Sequence, residues 1–426
     1  MATTVSSQAP PTHVRYWVIV FAVALAVVTY IDRVLISQAA PEITRDLGLT
    51  REQMGSVFSA FALAYALFEI PGGYLGDRMG PRRVLMRIVI WWSFFTAATG
   101  WAWNFVSMLI TRFMFGAGEA GCFPNLTKSF TTWLPPEERV RAQGILWMSA
   151  RWGGAFTPPL AAAVMNLISW RHAFELFGAL GVVWAILFFI WYRDNPRDNK
   201  SVNPAELRMI EENQHLSSHG SIPWRKFVRS KQVWLLCGQY FCLSYGWYFY
   251  ITWLPTYLRE ARHLTMTNGA MLAVLPLFLG GCGSFFCGMV YPAVNRWTGD
   301  VGKSRRVMAC LGFAGATGFL ILSSYLQDAT WAMVAMGMAS FSNDLVMPGA
   351  WAACMDVGGK YAGTLSGTMN MMGNLAGYVS PKAIAYILSN SNDNWNLTFY
   401  VSAAVYFAGI FFWLGLDPVT PMEQEA

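Results

Sequence analysis

The chain has 426 residues, of which 55% are hydrophobic and 13% are charged, and its formal net charge is +6. Soluble globular proteins carry about a quarter charged residues, and the apolar runs here are far longer than the segments that a soluble core buries. These values indicate a membrane protein. Because a spanning helix needs about 20 apolar residues, a dozen such helices leave no room for a large catalytic domain outside the bilayer.

The basic residues do not indicate a nucleic-acid partner, because they lie in short clusters between apolar runs, where they anchor loops. The sequence also lacks a nucleophile with a base, or a set of metal ligands, at a recognisable spacing. Its seven cysteines lie mostly inside apolar runs, as small buried residues do. We therefore expect no enzymatic activity, no cofactor and no metal ion.

Twelve apolar segments follow one another along the chain. The first comes after a polar N-terminus and shows no persuasive cleavage site, so we interpret it as a helix and not as a removable signal peptide. The segments predict an all-α membrane protein with twelve transmembrane helices, centred near residues 27, 63, 94, 118, 155, 182, 245, 280, 313, 342, 375 and 406.

One long polar segment separates the first six of these helices from the last six. The predicted domains are therefore a six-helix bundle over residues 1–192, a cytoplasmic linker over 193–231 and a second six-helix bundle over 232–426. Within the linker, Asn203 and Pro204 predict the N-cap and the first residue of a short surface helix.

An internal repeat supports two pseudo-symmetric bundles. Adding 223 to residue numbers of the first half takes Gly144 to Gly367, and it takes Arg82 to Arg305. The same offset also takes several residues near each of these two positions to identical residues in the second half. Two parallel six-helix halves are a common design of transporters.

The loops give the expected orientation. The loop after the second segment contains DRMGPRR and the loop after the eighth contains NRWTGDVGKSRR, whereas the loops on the other side carry few Lys or Arg. By the positive-inside rule, the basic loops, the linker and both termini are cytoplasmic. The sequence thus predicts a multi-pass protein of a bacterial-type inner membrane.

Ionisable residues inside the predicted helices are functional candidates, because each is costly at membrane depth. Most lie in the first half, namely Asp32, Arg33, Glu69, Arg87, Arg112, Glu119 and Arg151, whereas the second half adds Asp344 and Lys382. For Glu69, Arg87, Asp344 and Lys382 the alternative is a position near an interface, from which the side chain snorkels to water.

A helical rise of about 1.5 Å per residue brings Asp32 and Arg112 to similar depth. Glu119 follows Arg112 by two turns and projects from the same helix face. Two carboxylates with a guanidinium between them suit proton-coupled movement of an anion, and Arg33 is the candidate for binding a substrate carboxylate through its forked donors. The alternative is a set of buried ion pairs that only fix helix packing.

Two asparagines in the sequence MNMMGNLAG, Asn370 and Asn374, lie beside glycines in the eleventh segment. Each is suited to hydrogen-bond either a neighbouring helix or a substrate hydroxyl group. The sequence leaves both alternatives open.

The segment from Gly72 to Val84, GGYLGDRMGPRRV, resembles the cytoplasmic loop signature of the major facilitator superfamily. The resemblance implies the major facilitator fold, and it implies that the matching residues close the cytoplasmic gate. These residues are Gly73, Asp77, Arg78, Gly80, Arg82 and Arg83.

Other segments resemble the anion:cation symporter family within that superfamily, a group that includes bacterial sugar-acid transporters and eukaryotic sialic acid, phosphate and vesicular glutamate carriers. The matching segments include TYIDRVLIS, RFMFGAGEAGCFP and MDVGGKYAGTLSGTMNMMGNLAGYVSP, and together they cover nearly the whole chain. The resemblance implies that Asp32 and Glu119 bind and release the transported protons and that Arg112 couples them. It places Arg33, Tyr30, Tyr65, Asn370 and Trp351 at the substrate site.

Arg151 departs from the family pattern, because sugar-acid members often have a ligand-binding glutamine at this place. An additional cation here selects either a second carboxylate on the substrate or a differently placed one.

These observations predict a monomeric symporter that carries a small organic carboxylate, such as an aldonate or a hexuronate, with protons. One rival is a proton-independent facilitator or an anion exchanger for a dicarboxylate or an aromatic acid. The other is a membrane sensor that binds a ligand without moving it.

Overall fold

α-Helices dominate the computed structural model, which describes residues 10–211, 224–264 and 266–422. The first half of the chain forms seven α-helices, and the segment after it adds two short ones. Their bounds are α1 Tyr16–Leu47, α2 Arg51–Met79, α3 Pro81–Gly100, α4 Phe105–Glu119, α5 Cys122–Trp133, α6 Pro136–Met165, α7 Trp170–Trp191, α8 Pro204–Glu211 and α9 Trp224–Arg229.

The second half repeats the pattern of the first. Its helices are α10 Lys231–Thr252, α11 Leu254–Glu260, α12 Met266–Thr298, α13 Val301–Tyr325, α14 Ala329–Gly358, α15 Ala362–Asn390 and α16 Trp395–Gly415. Every one of the twelve predicted segments falls on one of these helices, with α4 and α5 forming one crossing and α10 and α11 another. The prediction of an all-helical bundle with twelve crossings is confirmed.

The sequence did not predict the two interrupted crossings. Between α4 and α5 the chain turns at Gly121, whose φ of +83° is unfavourable for residues with a side chain. A Cβ atom at Gly121 would also lie 2.6 Å from the Cα atom of Gly72 on α2. The break therefore lets α2 approach the end of α4 closely.

The internal repeat corresponds to equivalent contacts in the two halves. An added Cβ at Gly144 on α6 would lie 2.6 Å from the carbonyl oxygen of Ser284 on α12, and one at Gly367 on α15 would lie 2.9 Å from that of Glu69 on α2. Small residues of this kind allow helix backbones to approach closely in membranes. The two glycines thus occupy corresponding places in the interface between the halves.

Polar contacts between the halves are concentrated toward the side of the bundle that holds the N-terminal end of α1, which we call the terminus side. There Lys128 Nζ donates to the carbonyl oxygen of Lys360 at 2.6 Å, and Arg139 forms an ion pair with Asp356. In the described residues, the polar contacts farthest from this side are Asn370 with Tyr65 and Glu69, and Arg151 with Asp344. The two halves are therefore joined from mid-depth to the terminus side.

Large apolar side chains are exposed along the helices, among them Trp91, Ile190, Leu311 and Phe411. Six of the described helices are long and apolar enough to cross a bilayer by length and composition alone. An apolar exterior of this extent is unusual for a soluble monomer, and it is expected for a protein that lies in lipid.

The helix α8 is firmly attached to the first half. Asn203 Oδ1 accepts a hydrogen bond from the amide of Glu206 at 2.8 Å, which confirms the predicted N-cap. The carboxylate of Glu206 is buried, and it accepts hydrogen bonds from the amides of Val14 and Arg15 and from the Arg15 guanidinium. The predicted surface helix therefore has one buried, paired face. The linker residues 212–223 lie outside the described residues.

Candidate functional site

Asp32 lies in the middle of the first half, on α1, and is fully buried. Neither of its carboxylate oxygens has a hydrogen-bond partner among the described residues. Thr96 and Trp92 of α3 lie beside it without completing a hydrogen bond, and the charges of Glu119 and Arg112 act on it. A carboxyl group in such surroundings is easily neutralised by a proton, because an isolated buried charge is costly.

Arg33 forms an ion pair with Glu119 through its Nε atom. The Glu119 side chain is fully buried, whereas that of Arg33 keeps 21% of its surface exposed. The guanidinium lies 4.5 Å from the ring centre of Tyr65 and 5.5 Å from that of Tyr30, and its buried Nη2 atom has no partner in the described part of the chain. Arg33 therefore retains the capacity to bind an anion between aromatic rings.

Arg112 lies on α4 two turns before Glu119, and both side chains are buried as predicted from their spacing. The guanidinium packs against the rings of Phe115, at 4.3 Å, and Phe61, at 5.4 Å. Its Nε and Nη1 atoms have no hydrogen-bond partner among the described residues. In this conformation Arg112 interacts with Asp32 and Glu119 through space and not through a hydrogen bond.

A chain of polar side chains connects α2 of the first half to α15 and α10 of the second. Asn370 Nδ2 donates to Glu69 Oε1 at 2.7 Å and lies 3.4 Å from the Tyr65 hydroxyl. Asn374 donates to the carbonyl of Asn370 at 2.9 Å and accepts from the Tyr248 hydroxyl at 3.1 Å. Both asparagines thus bond neighbouring groups here, and Asn370 reaches Tyr65, one of the aromatic residues around Arg33.

The alternative that Glu69 and Asp344 snorkel to water is not observed. Both side chains are fully buried. Glu69 accepts from Asn370 and from the amide of Gly121 at 3.3 Å. The sequence shows a position along a helix axis but not the partner on another helix.

Arg151 binds Asp344 with both arms of its guanidinium, at 2.9 and 3.2 Å. The pair joins α6 of the first half to α14 of the second. The guanidinium also lies 3.3 Å from the ring centre of Trp247. The sequence predicted an additional cation at this position, and here its charge is balanced by the carboxylate of Asp344.

Trp351 is fully buried on α14. Its Nε1 atom donates to the Tyr240 hydroxyl at 3.3 Å, and its ring lies 5.2 Å from that of Trp147. Trp351 thus forms part of the contact between the halves. Tyr240 was not singled out from the sequence, although its spacing of seven and eight residues from Trp247 and Tyr248 places the three on one face of α10.

The loop signature lies at the terminus side. Asp77 accepts hydrogen bonds from the amides of Gly363 and Thr364, at 3.0 and 2.6 Å, and from the Thr364 hydroxyl at 2.7 Å. Lys128 of α5 lies 3.4 Å from the same carboxylate. An acidic side chain at the N-terminal end of α15 satisfies amides that have no partner within the helix.

The other signature residues surround this contact. Gly73 lies against the backbone of Gly363, and Gly80 has a φ of +85° between α2 and α3. Arg82 donates to the carbonyl oxygen of Phe189 at the end of α7, whereas Arg78 and Arg83 are exposed. The equivalent residue of Arg82 in the second half, Arg305, donates to the Pro418 carbonyl after α16.

A second set of contacts that joins the halves at the terminus side was not predicted from the sequence. Asp356 at the end of α14 pairs with Arg139 of α6, and its other oxygen lies 2.6 Å from Arg305 of α13. One carboxylate thus holds two guanidinium groups from different halves. The three residues lie far apart in the sequence, so no local pattern reveals the cluster.

A bundle of twelve helices with buried charges between two halves has the architecture of a secondary transporter. Residues 22–381 match the Major Facilitator Superfamily, and the chain belongs to this family. It is a multi-pass membrane protein and a transporter by family, not an enzyme.

Three relatives span nearly the same length. A probable sulfoacetate transporter of Cupriavidus necator is 35% identical over 400 residues, with 93% of this chain and 92% of the relative covered. A probable galactarate/D-glucarate transporter of Escherichia coli is 29% identical over 448 residues, covering 100% and 98%. A hexuronate transporter of Bacillus subtilis is 30% identical over 379 residues, covering 88% of each.

A solved structure shows the same fold at low sequence identity. The proton:xylose symporter bound to 6-bromo-6-deoxy-D-glucose superposes with a TM-score of 0.76 at 12% identity, covering 96% of this chain and 98% of that one. Together with the helix order, this likeness confirms the predicted major facilitator fold.

Proposed function

We propose that this protein carries a small organic acid anion across a bacterial-type inner membrane by alternating access, together with one or more protons. Its relatives include proteins named as transporters of sulfoacetate, galactarate or glucarate, and hexuronate. These ligands share a carboxylate, and the buried guanidinium groups of this chain suit such a ligand.

The main support for proton coupling is the balance of buried charges. The central cluster contains three guanidinium groups, Arg33, Arg112 and Arg151, and four carboxyl groups, Asp32, Glu69, Glu119 and Asp344. If all seven groups were ionised, the cluster would have a net charge of −1. An entering anion would make this net charge more negative. Since uncompensated charge is costly in a low-dielectric interior, anion binding favours protonation of a carboxylate. Among the described residues the Asp32 oxygens have no hydrogen-bond partner, so protonation of Asp32 lowers this cost more than protonation of the other three carboxylates, which are paired.

Arg33 supports a role in carboxylate binding. Its side chain is partly exposed, its Nη2 atom has no partner within the described ranges, and its aromatic neighbours are Tyr30 and Tyr65. Asn370 lies 3.4 Å from the Tyr65 hydroxyl and is followed one turn later by Asn374, and a substrate hydroxyl would exchange with the present hydrogen-bond partners of these amides. Sugar acids such as aldonates and hexuronates are therefore the first ligands to test.

The halves are in contact at the terminus side, so the proposed transport cycle requires this side to open. Asp77, Arg139 and Asp356 hold the halves together there, and we infer from the basic loops that this side faces the cytoplasm. Rocking of the halves about the central cluster would open it. Each chain contains its own central cluster, so a monomer suffices for this cycle.

The decisive experiment uses purified protein in proteoliposomes. Thermal-shift screening against sugar acids, dicarboxylates and sulfonates first identifies a ligand, because binding to the folded state stabilises it. Accumulation of that ligand is then measured with and without an imposed inward proton gradient. We expect accumulation only with the gradient. Flux that ignores the gradient would instead identify a facilitator or an exchanger.

A further inference from the structure

The ion pair between Arg151 and Asp344 lies at mid-depth between the two halves. The other ion pair between the halves in the described residues, Arg139 with Asp356, lies at the terminus side. Only 2% of the Arg151 side chain and none of the Asp344 side chain is exposed. This buried pair is the part of the central cluster that joins the two halves, and substrate is proposed to bind in that cluster.

Neither buried charge is stable without a counter-charge. Removing one member of a buried ion pair leaves an uncompensated charge, which costs far more than the net contribution of the pair. Arg151 lies on α6 of the first half and Asp344 on α14 of the second, so movement of the halves separates them. Arg151 then needs another anion, and a substrate can supply one with the same forked geometry.

Arg33 and Arg151 lie on either side of Tyr30. The Tyr30 ring centre lies 5.5 Å from the Arg33 guanidinium, and a Cβ atom at Gly154, about one helical turn after Arg151 on α6, would lie 3.0 Å from the same ring. On the side of the second half, the Trp247 ring centre lies 3.3 Å from the Arg151 guanidinium. Two cations arranged around aromatic rings in this way suit one ligand with an anionic group at each end.

The second half offers hydrogen-bond donors for a displaced Asp344 carboxylate. Asn343 Nδ2 already donates to it at 3.1 Å, and the buried Ser340 hydroxyl has no partner among the described residues. Gly280 of α12 faces both groups, since a Cβ there would lie 2.8 Å from Ser340 Oγ and 3.0 Å from Asp344 Oδ2. These neighbours leave room for the carboxylate to turn toward Ser340.

We propose that Arg151 is a second anion subsite, that Asp344 occupies it while no substrate is bound, and that the second anionic group of a dianionic organic acid replaces Asp344 there. This inference rests on the proposed function and narrows its substrate class. Asp344 acts as a built-in competitor of the ligand, and Arg151 determines the preference for two anionic groups over one.

The test compares two acids of the same chain length, D-glucarate with two carboxylates and D-gluconate with one. Their affinities are measured by calorimetry on the purified full-length protein and on Arg151→Gln and Asp344→Asn variants. The wild type is expected to prefer glucarate. Arg151→Gln is expected to reduce that preference about tenfold or more, and Asp344→Asn to increase it, while gluconate affinity changes little.

The double variant Arg151→Gln/Asp344→Asn is the control for misfolding of the single variants. It removes both charges and leaves a hydrogen-bonding amide at each position, so it avoids the unpaired charge of each single variant. We expect it to unfold at a temperature close to that of the wild type and to lack the preference for glucarate.

Two results would overturn the inference in different ways. If both acids bind and their affinity ratio is unchanged in the Arg151→Gln and double variants, Arg151 is not an anion subsite, and the proposed function stands. If neither these acids nor any member of the wider acid panel binds the wild type, the proposed function fails and this inference fails with it.

Discussion

Glu119 is bound by Arg33 on the neighbouring helix α1, although Arg112 lies two turns before it on its own helix. The pairing leaves Arg112 against the rings of Phe61 and Phe115 and leaves Asp32 without a hydrogen bond in the described part of the chain. A substrate carboxylate that binds Arg33 competes with Glu119. The ion pair thus links the proposed anion site to the carboxyl groups proposed to carry protons.

The first prediction concerns Asp32→Asn. The amide keeps the size of the side chain but cannot take up and release a proton, so we expect gradient-driven uptake to be lost. Exchange of substrate between preloaded proteoliposomes and the medium does not require net proton movement, and we expect it to persist in part. Both fluxes are measured with the same labelled acid.

Asp46→Asn is the matched control for this variant. Asp46 lies on the same helix, at its exposed end, where it accepts a hydrogen bond from Trp170 at 2.8 Å. An asparagine retains an acceptor oxygen, so uptake and exchange should both match the wild type. Equal loss of uptake and exchange in Asp32→Asn would contradict a specific role of Asp32 in proton coupling.

The second prediction concerns Arg33→Lys. Lysine keeps the positive charge but loses the planar fork and its stacking on Tyr65. We expect the dissociation constant for an organic acid to rise by about tenfold or more, which corresponds to about 1.4 kcal/mol. Calorimetry on the purified variant measures this change. Arg45→Lys, at the exposed end of the same helix, should bind like the wild type.

An unchanged affinity of Arg33→Lys would show that charge alone is sufficient at this position. An equal loss in Arg45→Lys would indicate a general effect on the membrane protein and not on a binding site. The two substitutions make the same chemical change on one helix, so their difference isolates the contribution of the central position.

The helix pattern was predictable because apolar length and loop charge are local properties of the sequence. Asp32, Arg112 and Glu119 were also found correctly as buried groups, since charge inside an apolar run stands out. The partner of each charge was not predictable. Arg33 and Glu119, or Arg151 and Asp344, are brought together by helix rotation and packing, which depend on the whole bundle.

The interrupted crossing at Gly121 illustrates a second limit. Its sequence, GEAGCF, reads as part of a continuous apolar segment, and glycine is tolerated in membrane helices. Only the close approach of Gly72 on α2 reveals why the helix must turn there. Close contacts between distant backbones leave no signal in a single sequence beyond the glycine itself.

The third prediction concerns the attachment of α8. Glu206→Ala removes the acceptor for two backbone amides and for the Arg15 guanidinium. Leaving these buried donors unpaired should lower the free energy of unfolding, or of local detachment of α8, by about 3 kcal/mol. Thermal unfolding and limited proteolysis of the linker measure the two effects.

Glu211→Ala is the matched control on the same short helix. Glu211 pairs with Arg197, of which 54% of the side-chain surface is exposed. Exposed pairs contribute little to stability, so we expect no measurable change in unfolding or proteolysis. A similar loss in both variants would show that burial of Glu206 does not hold the helix in place.

The fourth prediction concerns Gly73→Ala on the terminus side. A Cβ atom at Gly73 would lie 2.2 Å from the carbonyl oxygen of Gly363 and 2.8 Å from its carbonyl carbon. Both contacts involve backbone, which cannot rotate away as a side chain does. The methyl group should therefore prevent α2 and α15 from closing, weaken the hydrogen bonds of Asp77 and hold the protein open toward the terminus side.

The opening is measured as the distance between spin labels at two exposed lysines of this side. Lys200 lies in the linker segment that is attached to the first half, and Lys303 lies in the second half. We expect a longer distance and a loss of gradient-driven uptake in Gly73→Ala. Gly318→Ala on α13 makes the same chemical change where no atom of the described residues lies within 4 Å of the added methyl group. It should leave both readouts unchanged, because alanine favours the helix without a clash. A wild-type distance distribution in Gly73→Ala would show that the contact with Gly363 is not needed for closure.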